Sequence, residues 1–237
     1  MKLVKYINLV IGFLLFWTIL SAQNLEQDLI LVNKVFEEDS YMLEVSYDVY
    51  ESYDAKQIYY STKGEMYKNG IQNYQKIGDL EIIKNEHYTL TADHENKLIF
   101  ILGAAYSEVG DQQEKALDPI KNALRFCPNH EFFKENESIN GYYLWPEGTD
   151  YKKMKITYEK ESHVLKEIVL YFNETEKFDE SAGTINPKMV LRIENFNASP
   201  RFPDHCFSYH NFLVKNTEEQ FELKPNFKQY TLKQALN

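Results

Sequence analysis

The chain has 237 residues, 43% of them hydrophobic and 15% aromatic, with 26 basic against 36 acidic side chains and a formal net charge of −10. That composition is β-rich and globular, and charge that is acidic and free of long runs excludes nucleic acid or an anionic membrane surface as the main partner, since both demand basic patches. No Gly-rich phosphate loop, G-x-S-x-G elbow, H-E-x-x-H or paired C-x-x-C occurs, so the expectation is a protein that is not an enzyme and carries no cofactor.

Lys2 and Lys5 precede an apolar run from Leu9 to Leu20 and the small pair Ser21-Ala22, the pattern of a cleaved secretory signal. The expected domains are therefore a signal peptide at 1–22 and a single domain at 23–237, and loss of the two lysines moves the charge from −10 to −12. The expected location is the periplasm or the secreted fraction. An oxidising compartment permits a disulfide between Cys127 and Cys206, with two buried free thiols as the equal alternative.

Asn24 can cap a helix from Leu25 to about Glu38, in which Leu25, Leu29, Val32 and Phe36 form one apolar stripe. Tyr41, Leu43, Val45, Tyr47 and Val49 then alternate as in a strand. Further strands are expected around Ile58 to Tyr67 and Ile71 to Ile83, joined at Asn69-Gly70. After Asn85-Glu86 comes "HYTLTAD", which alternates, and after His94-Glu95-Asn96 comes "LIFIL", which is apolar on both faces. Short turns between successive strands make this an antiparallel meander. The doubly apolar strand raises a question: its second face is covered either by protein or by something the protein carries.

Asp118-Pro119 reads as the start of a second helix, ending at Cys127-Pro128. From Tyr142 the strand pattern resumes in "GYYLWPEG", "KMKITYEK", "VLKEIVLYF", "KMVLRIENF" and "CFSYHNFLV", with a last candidate in "KQYTL". The polar stretch from Asn173 to Pro187 reads as a surface loop. The order of elements predicts an α+β fold, one large curved antiparallel sheet of roughly nine to eleven strands with helices packed over one face.

The segments "KGEMYKNG", "LEIIKNEHYTLTADHENKLIFIL", "YYLWPEG" with "VLKEIVLYF", and "VLRIENF" before "CFSYHNFLV" resemble successive parts of the LolA/LolB-like family of exported lipoprotein carriers. The resemblance covers most of the chain after the signal. It implies an incomplete antiparallel barrel with helices over its mouth, an apolar half-barrel cavity for acyl chains or lipoprotein lipid, and membrane-associated donor or acceptor proteins as partners. The family's strand arginine beside proline has no counterpart between Gly64 and Gln75, so no arginine role carries over.

On that reading the ligand-binding candidates are Tyr47, Val49, Leu90, Ile99, Ile101, Ile168 and Leu170, each from an alternating or doubly apolar strand. Parity fixes which of them share a face within a strand, not which face is concave. The expected function is an exported soluble carrier or chaperone for a hydrophobic ligand, and the alternative is a non-enzymatic interaction or assembly protein with a filled β-rich core. The one metal-like cluster, "PDHCFSYH", places His205 and His210 five residues apart, on opposite faces of a strand, so no metal site is expected without an intervening bend.

Overall fold

The computed structural model describes residues 24–103, 127–176, 183–216 and 220–235. The expected signal peptide and the helix after Asp118 lie outside these residues. Helix α1 spans Leu25–Glu37, and the Asn24 side chain accepts from the backbone N–H groups of Glu26 and Gln27 as the sequence predicts. Its apolar stripe is buried at Leu25 and Val32.

The strands are β1 (Ser40–Tyr50), β2 (Tyr60–Asn69), β3 (Gln72–Ile77), β4 (Leu80–Lys84), β5 (Tyr88–Asp93), β6 (Leu98–Gly103), β7 (Asn129–Lys134), β8 (Ile139–Trp145), β9 (Tyr151–Glu159), β10 (Leu165–Phe172), β11 (Thr175–Glu176), β12 (Thr184–Ile185), β13 (Lys188–Asn197), β14 (Leu213–Lys215), β15 (Phe221–Leu223) and β16 (Thr231–Ala235). Twelve of them form one open sheet in the order β16-β6-β5-β4-β3-β2-β1-β13-β10-β9-β8-β7. The fold is α+β, a curved and incomplete barrel, as expected from the element order.

Several elements differ from the sequence reading. Ile71 to Ile83 is two strands, because Gly78 takes φ +57° and turns the chain between β3 and β4. The Asn69-Gly70 signal is displaced by one residue: Asn69 pairs with Gln72, so Gly70-Ile71 is the loop. β7 carries no clear alternation and has no counterpart among the expected strands. "CFSYHNFLV" is mostly a turn and a short 3-10 segment at Tyr209–Asn211, with only β14 extended. The loop from Asn173 to Pro187 holds the small β11–β12 hairpin. β16 joins β6 in parallel, unlike the rest of the sheet.

The register sorts side chains into two faces. On one, Tyr47 pairs with Leu191, Leu191 with Ile168 and Ile168 with Ile156, and the next row runs Val49, Met189, Leu170, Met154. Helix α1 lies on this face. Leu25 and Val32 pack with Tyr142, Leu144, Ile156 and Tyr158, and Phe36 meets Tyr41 and Phe196 edge-on at 6.0 and 6.1 Å. The helix is pinned at both ends. Asp28, buried on its apolar side, accepts from the hydroxyls of Tyr142 at 2.7 Å and Tyr158 at 2.5 Å, and Lys68 on β2 donates to the carbonyls of Phe36 and Glu37 at 3.2 and 3.1 Å. A cation at the helix C-terminus is the favourable sign for the backbone dipole.

The other face is covered elsewhere and by something else. Tyr67, Tyr74, Ile83, Leu90 and Ile101 follow one another across β2 to β6, and they pack under Cys206, Phe212, Leu213 and Phe221 of the C-terminal segment. This strap is tied down by polar bonds: Asn85 donates to Phe207 O at 3.3 Å, the Tyr209 N–H to the Tyr88 hydroxyl at 2.8 Å, and His94 meets the Tyr230 hydroxyl at 2.9 Å. The doubly apolar β6 is thereby resolved. Ile99 and Ile101 are fully buried under protein, while Leu98 and Phe100 on the opposite side are half-buried and Leu102 is exposed. Cys127 and Cys206 stand as free thiols, buried in separate clusters.

Candidate functional site

The seven candidates divide between the two faces. Leu90, Ile99 and Ile101 lie in the sealed core beneath the strap, with no exposed surface. Tyr47, Val49, Ile168 and Leu170 lie on the helix face, and each is half-buried. Parity within each strand holds, but parity says nothing about how faces match across β1 and β6. No single cavity wall contains all seven.

The four on the helix face gain Met189 and Leu191 from β13, which complete two rows across β1, β13 and β10. Alternation in "KMVLRIENF" puts Met189, Leu191 and Ile193 on one side, and that was the available signal for them. Helix α1 covers the Tyr41, Leu43, Val45 and Ile193 end of these strands, leaving the Val49 end to a pocket of about 430 Å³ lined by Val49, Phe172, Pro187 and Met189, with Asp150, Asn173 and Glu174 at its polar side. That volume lies in the range of small-molecule sites, roughly 300–1,000 Å³.

Local chain geometry fixes the pocket wall. The Phe172 N–H donates to Pro187 O at 3.0 Å and the Asn173 N–H to Asp150 O at 2.9 Å, so β10 ends against the start of β13. Phe172 also meets Tyr151 edge-on at 5.1 Å. Tyr60 pairs with Val49 across β1 and β2, and Ile58, Tyr59 and Tyr60 are three successive exposed apolar side chains next to the pocket strand, Tyr60 being 53% exposed. The site is thus an apolar, half-open strip that can receive an apolar chain or a protein surface.

The histidines of "PDHCFSYH" are closer than strand geometry allows, with ring centroids 5.9 Å apart, because His205 adopts φ +61° and bends the chain. Among the described residues no group of three or more His, Cys, Asp or Glu is placed to hold a metal ion. Nor is any described helix long and apolar enough to cross a membrane.

No model of a known protein family matches the chain, and no curated protein matches it. Solved structures do resemble it in overall path. An uncharacterised conserved protein from Thermus thermophilus is 10% identical, with 78% of this chain and 97% of that one covered and a TM-score of 0.41. The Pseudomonas aeruginosa MucA/MucB complex gives 7% identity, coverage of 84% and 62%, and a TM-score of 0.44. A LolA superfamily protein from Nitrosomonas europaea is 10% identical, with coverage of 80% and 100% and a TM-score of 0.33.

Proposed function

We propose that the protein is an exported, non-enzymatic carrier or chaperone that receives acyl chains or lipoprotein lipid on the helix face of its sheet. The observation that carries this reading is the apolar strip from Leu191 and Ile168 to Met189 and Val49, which is left half-buried and opens into the 430 Å³ pocket. Burial of a methylene contributes about 0.8 kcal/mol, close to fourfold in affinity. Fluorescent fatty acids of increasing length should therefore bind more tightly by roughly that factor per methylene until the pocket is filled. Val49→Asp and Met189→Asp should each abolish the gain while leaving thermal unfolding near that of the native chain, because both positions are half-buried rather than sealed.

A second reading, an interaction or assembly protein, is favoured by the exposed run of Ile58, Tyr59 and Tyr60 and by the filled core beneath the strap. Native mass spectrometry of the freshly purified protein separates the two. Co-purifying lipid supports the carrier, whereas absence of both lipid and fatty-acid binding would hand the function to the second reading.

A further inference from the structure

On the strap-bearing face of the sheet, at the same strand ends as the apolar pocket but on the other side, lies a second pocket of about 380 Å³. Its floor is Val169 and Val190, both buried, and Tyr50 and Tyr171 contribute aromatic rings to its lining. Four cations line it, Lys56, Lys155, Lys188 and Arg192, against a single lining carboxylate, Glu167. In a chain with ten more acidic than basic side chains, that local excess runs against the average.

The cations are not equivalent. Arg192 bonds Asp48 at 2.5 Å and Glu167 at 3.2 Å, and Lys155 bonds Glu167 at 3.2 Å and Glu135 at 3.3 Å. These three carboxylates are consumed by those two cations. Lys188 has no carboxylate within ion-pair distance among the described residues: its ammonium donates to Tyr53 O at 2.6 Å and sits 4.6 Å from the centre of the Tyr50 ring. Lys56, in the loop that roofs the pocket, forms no ion pair among the described residues. Counted together, four cations face three carboxylates, and the two ammonium groups outside the ion pairs, Lys188 and Lys56, lie beside an apolar floor.

The roof is held in place before any ligand arrives. The Tyr53 hydroxyl donates to Phe172 O, its ring meets Tyr171 edge-on at 5.3 Å, and Ser52 bridges to Asn186. Ordering costs on binding are correspondingly small. The lysines add compact, strongly hydrated charges that suit anionic oxygens. We infer that this pocket binds a small amphipathic anion, a carboxylate or phosphate monoester borne on a flat apolar ring, with the ring against Val169, Val190 and Tyr171 and the anionic oxygens at Lys188 and Lys56. The site is distinct from the acyl pocket and stands whether or not the protein carries lipid.

The test uses the full chain after signal removal and four probes: phenyl phosphate, phenylacetate, neutral benzyl alcohol and inorganic phosphate, read by calorimetry and by shifts of the Val169 and Val190 methyl signals. Phenyl phosphate or phenylacetate should bind at least tenfold more tightly than benzyl alcohol and than inorganic phosphate, and whichever of the two is tighter identifies the anionic group. Lys56→Gln should weaken that binding about two- to fivefold, as for an exposed pair, and Lys188→Gln tenfold or more, as for a charged hydrogen-bond donor. Should Lys188→Gln loosen the roof, Lys56→Gln decides alone, since its side chain makes no ion pair or hydrogen bond among the described residues. Equal binding of the neutral compound, equal binding of inorganic phosphate, unmoved valine methyls, or indifference to Lys56→Gln would each overturn the assignment.

Discussion

Ile99 and Val49 both belong to apolar strands, yet the same change at the two sites should do different things. Ile99 has no exposed surface and packs within the strap-covered core. Ile99→Asn removes a fully buried side chain, a loss of about 1.5–3 kcal/mol, and leaves an amide in apolar surroundings, a further ~1–3 kcal/mol. The sum, about 2.5–6 kcal/mol, is a large part of the roughly 5–15 kcal/mol that holds a native domain together. At about 2–4 °C per kcal/mol for a chain of this size, the unfolding midpoint should fall by roughly 5–24 °C. Val49→Asn, half-buried at the pocket, should shift it by only about 2–4 °C, in line with a loss near 1 kcal/mol. Differential scanning calorimetry together with fluorescent fatty-acid titration gives both readouts. If Ile99→Asn keeps its midpoint within about 2 °C and loses fatty-acid binding, the strap face and not the helix face holds the ligand, and the division of the seven candidates between the faces fails.

Asp28→Ala should strand the Tyr142 and Tyr158 hydroxyls inside the α1 interface, costing about 2–4 kcal/mol and accelerating hydrogen exchange along Leu25–Glu37; unchanged exchange would refute the pinning role. Lys68→Met, which removes both hydrogen bonds to the helix C-terminus, should cost about 0.5–1.5 kcal/mol, with faster exchange confined to the amides near Phe36. Tyr67, Tyr74, Tyr142 and Tyr158 all have hydroxyls pushed up, first by burial and then by neighbouring carboxylates. The folded state therefore holds protons that the unfolded chain releases near pH 10, so stability is complete below that value and falls above it, by about 1.4 kcal/mol per pH unit for each such hydroxyl. The phenolate absorbance that remains after the exposed tyrosines have titrated should accordingly rise together with loss of far-ultraviolet ellipticity, and ionisation of all four well below unfolding would refute this. Cys127 and Cys206, buried and with thiols pushed up by burial, should react with a thiol reagent only as fast as the chain opens.

What was legible in the sequence was what neighbours along the chain decide. Asn24 and the Leu25, Leu29, Val32, Phe36 stripe specify α1 because a cap and an i, i+4 stripe are local properties. The alternation of β1, β5, β9 and β10 is local in the same way. Gly78 escapes such a reading because the turn it makes interrupts a stretch whose polarity keeps alternating on either side, and β7 does because Asn129–Lys134 is an edge strand with little to bury. Which face of β1 continues into which face of β6 depends on five successive registers, and no residue pattern announces that. The strap was invisible for a related reason: "CFSYHNFLV" has strand composition, yet its aromatic side chains are spent covering another element's face.

The sheet order has a kinetic side. β1 to β6 and β7 to β10 are two runs of sequential strands, each able to pair as it is made, but they meet only along β1 and β13, where contacts such as Asp48 with Arg192 join residues 144 apart. Closing that seam carries the loop entropy of most of the chain, and contacts of such separation form slowly. The strap comes later still in sequence, so a chain that paired its strands in order of synthesis would hold Leu90, Ile99 and Ile101 without their cover until it arrives. In that order of events the first meander would stand as a one-sided greasy sheet, a form prone to self-association. The time between synthesis of β6 and docking of residues around Phe212 and Phe221 would then set how long the growing chain needs shielding.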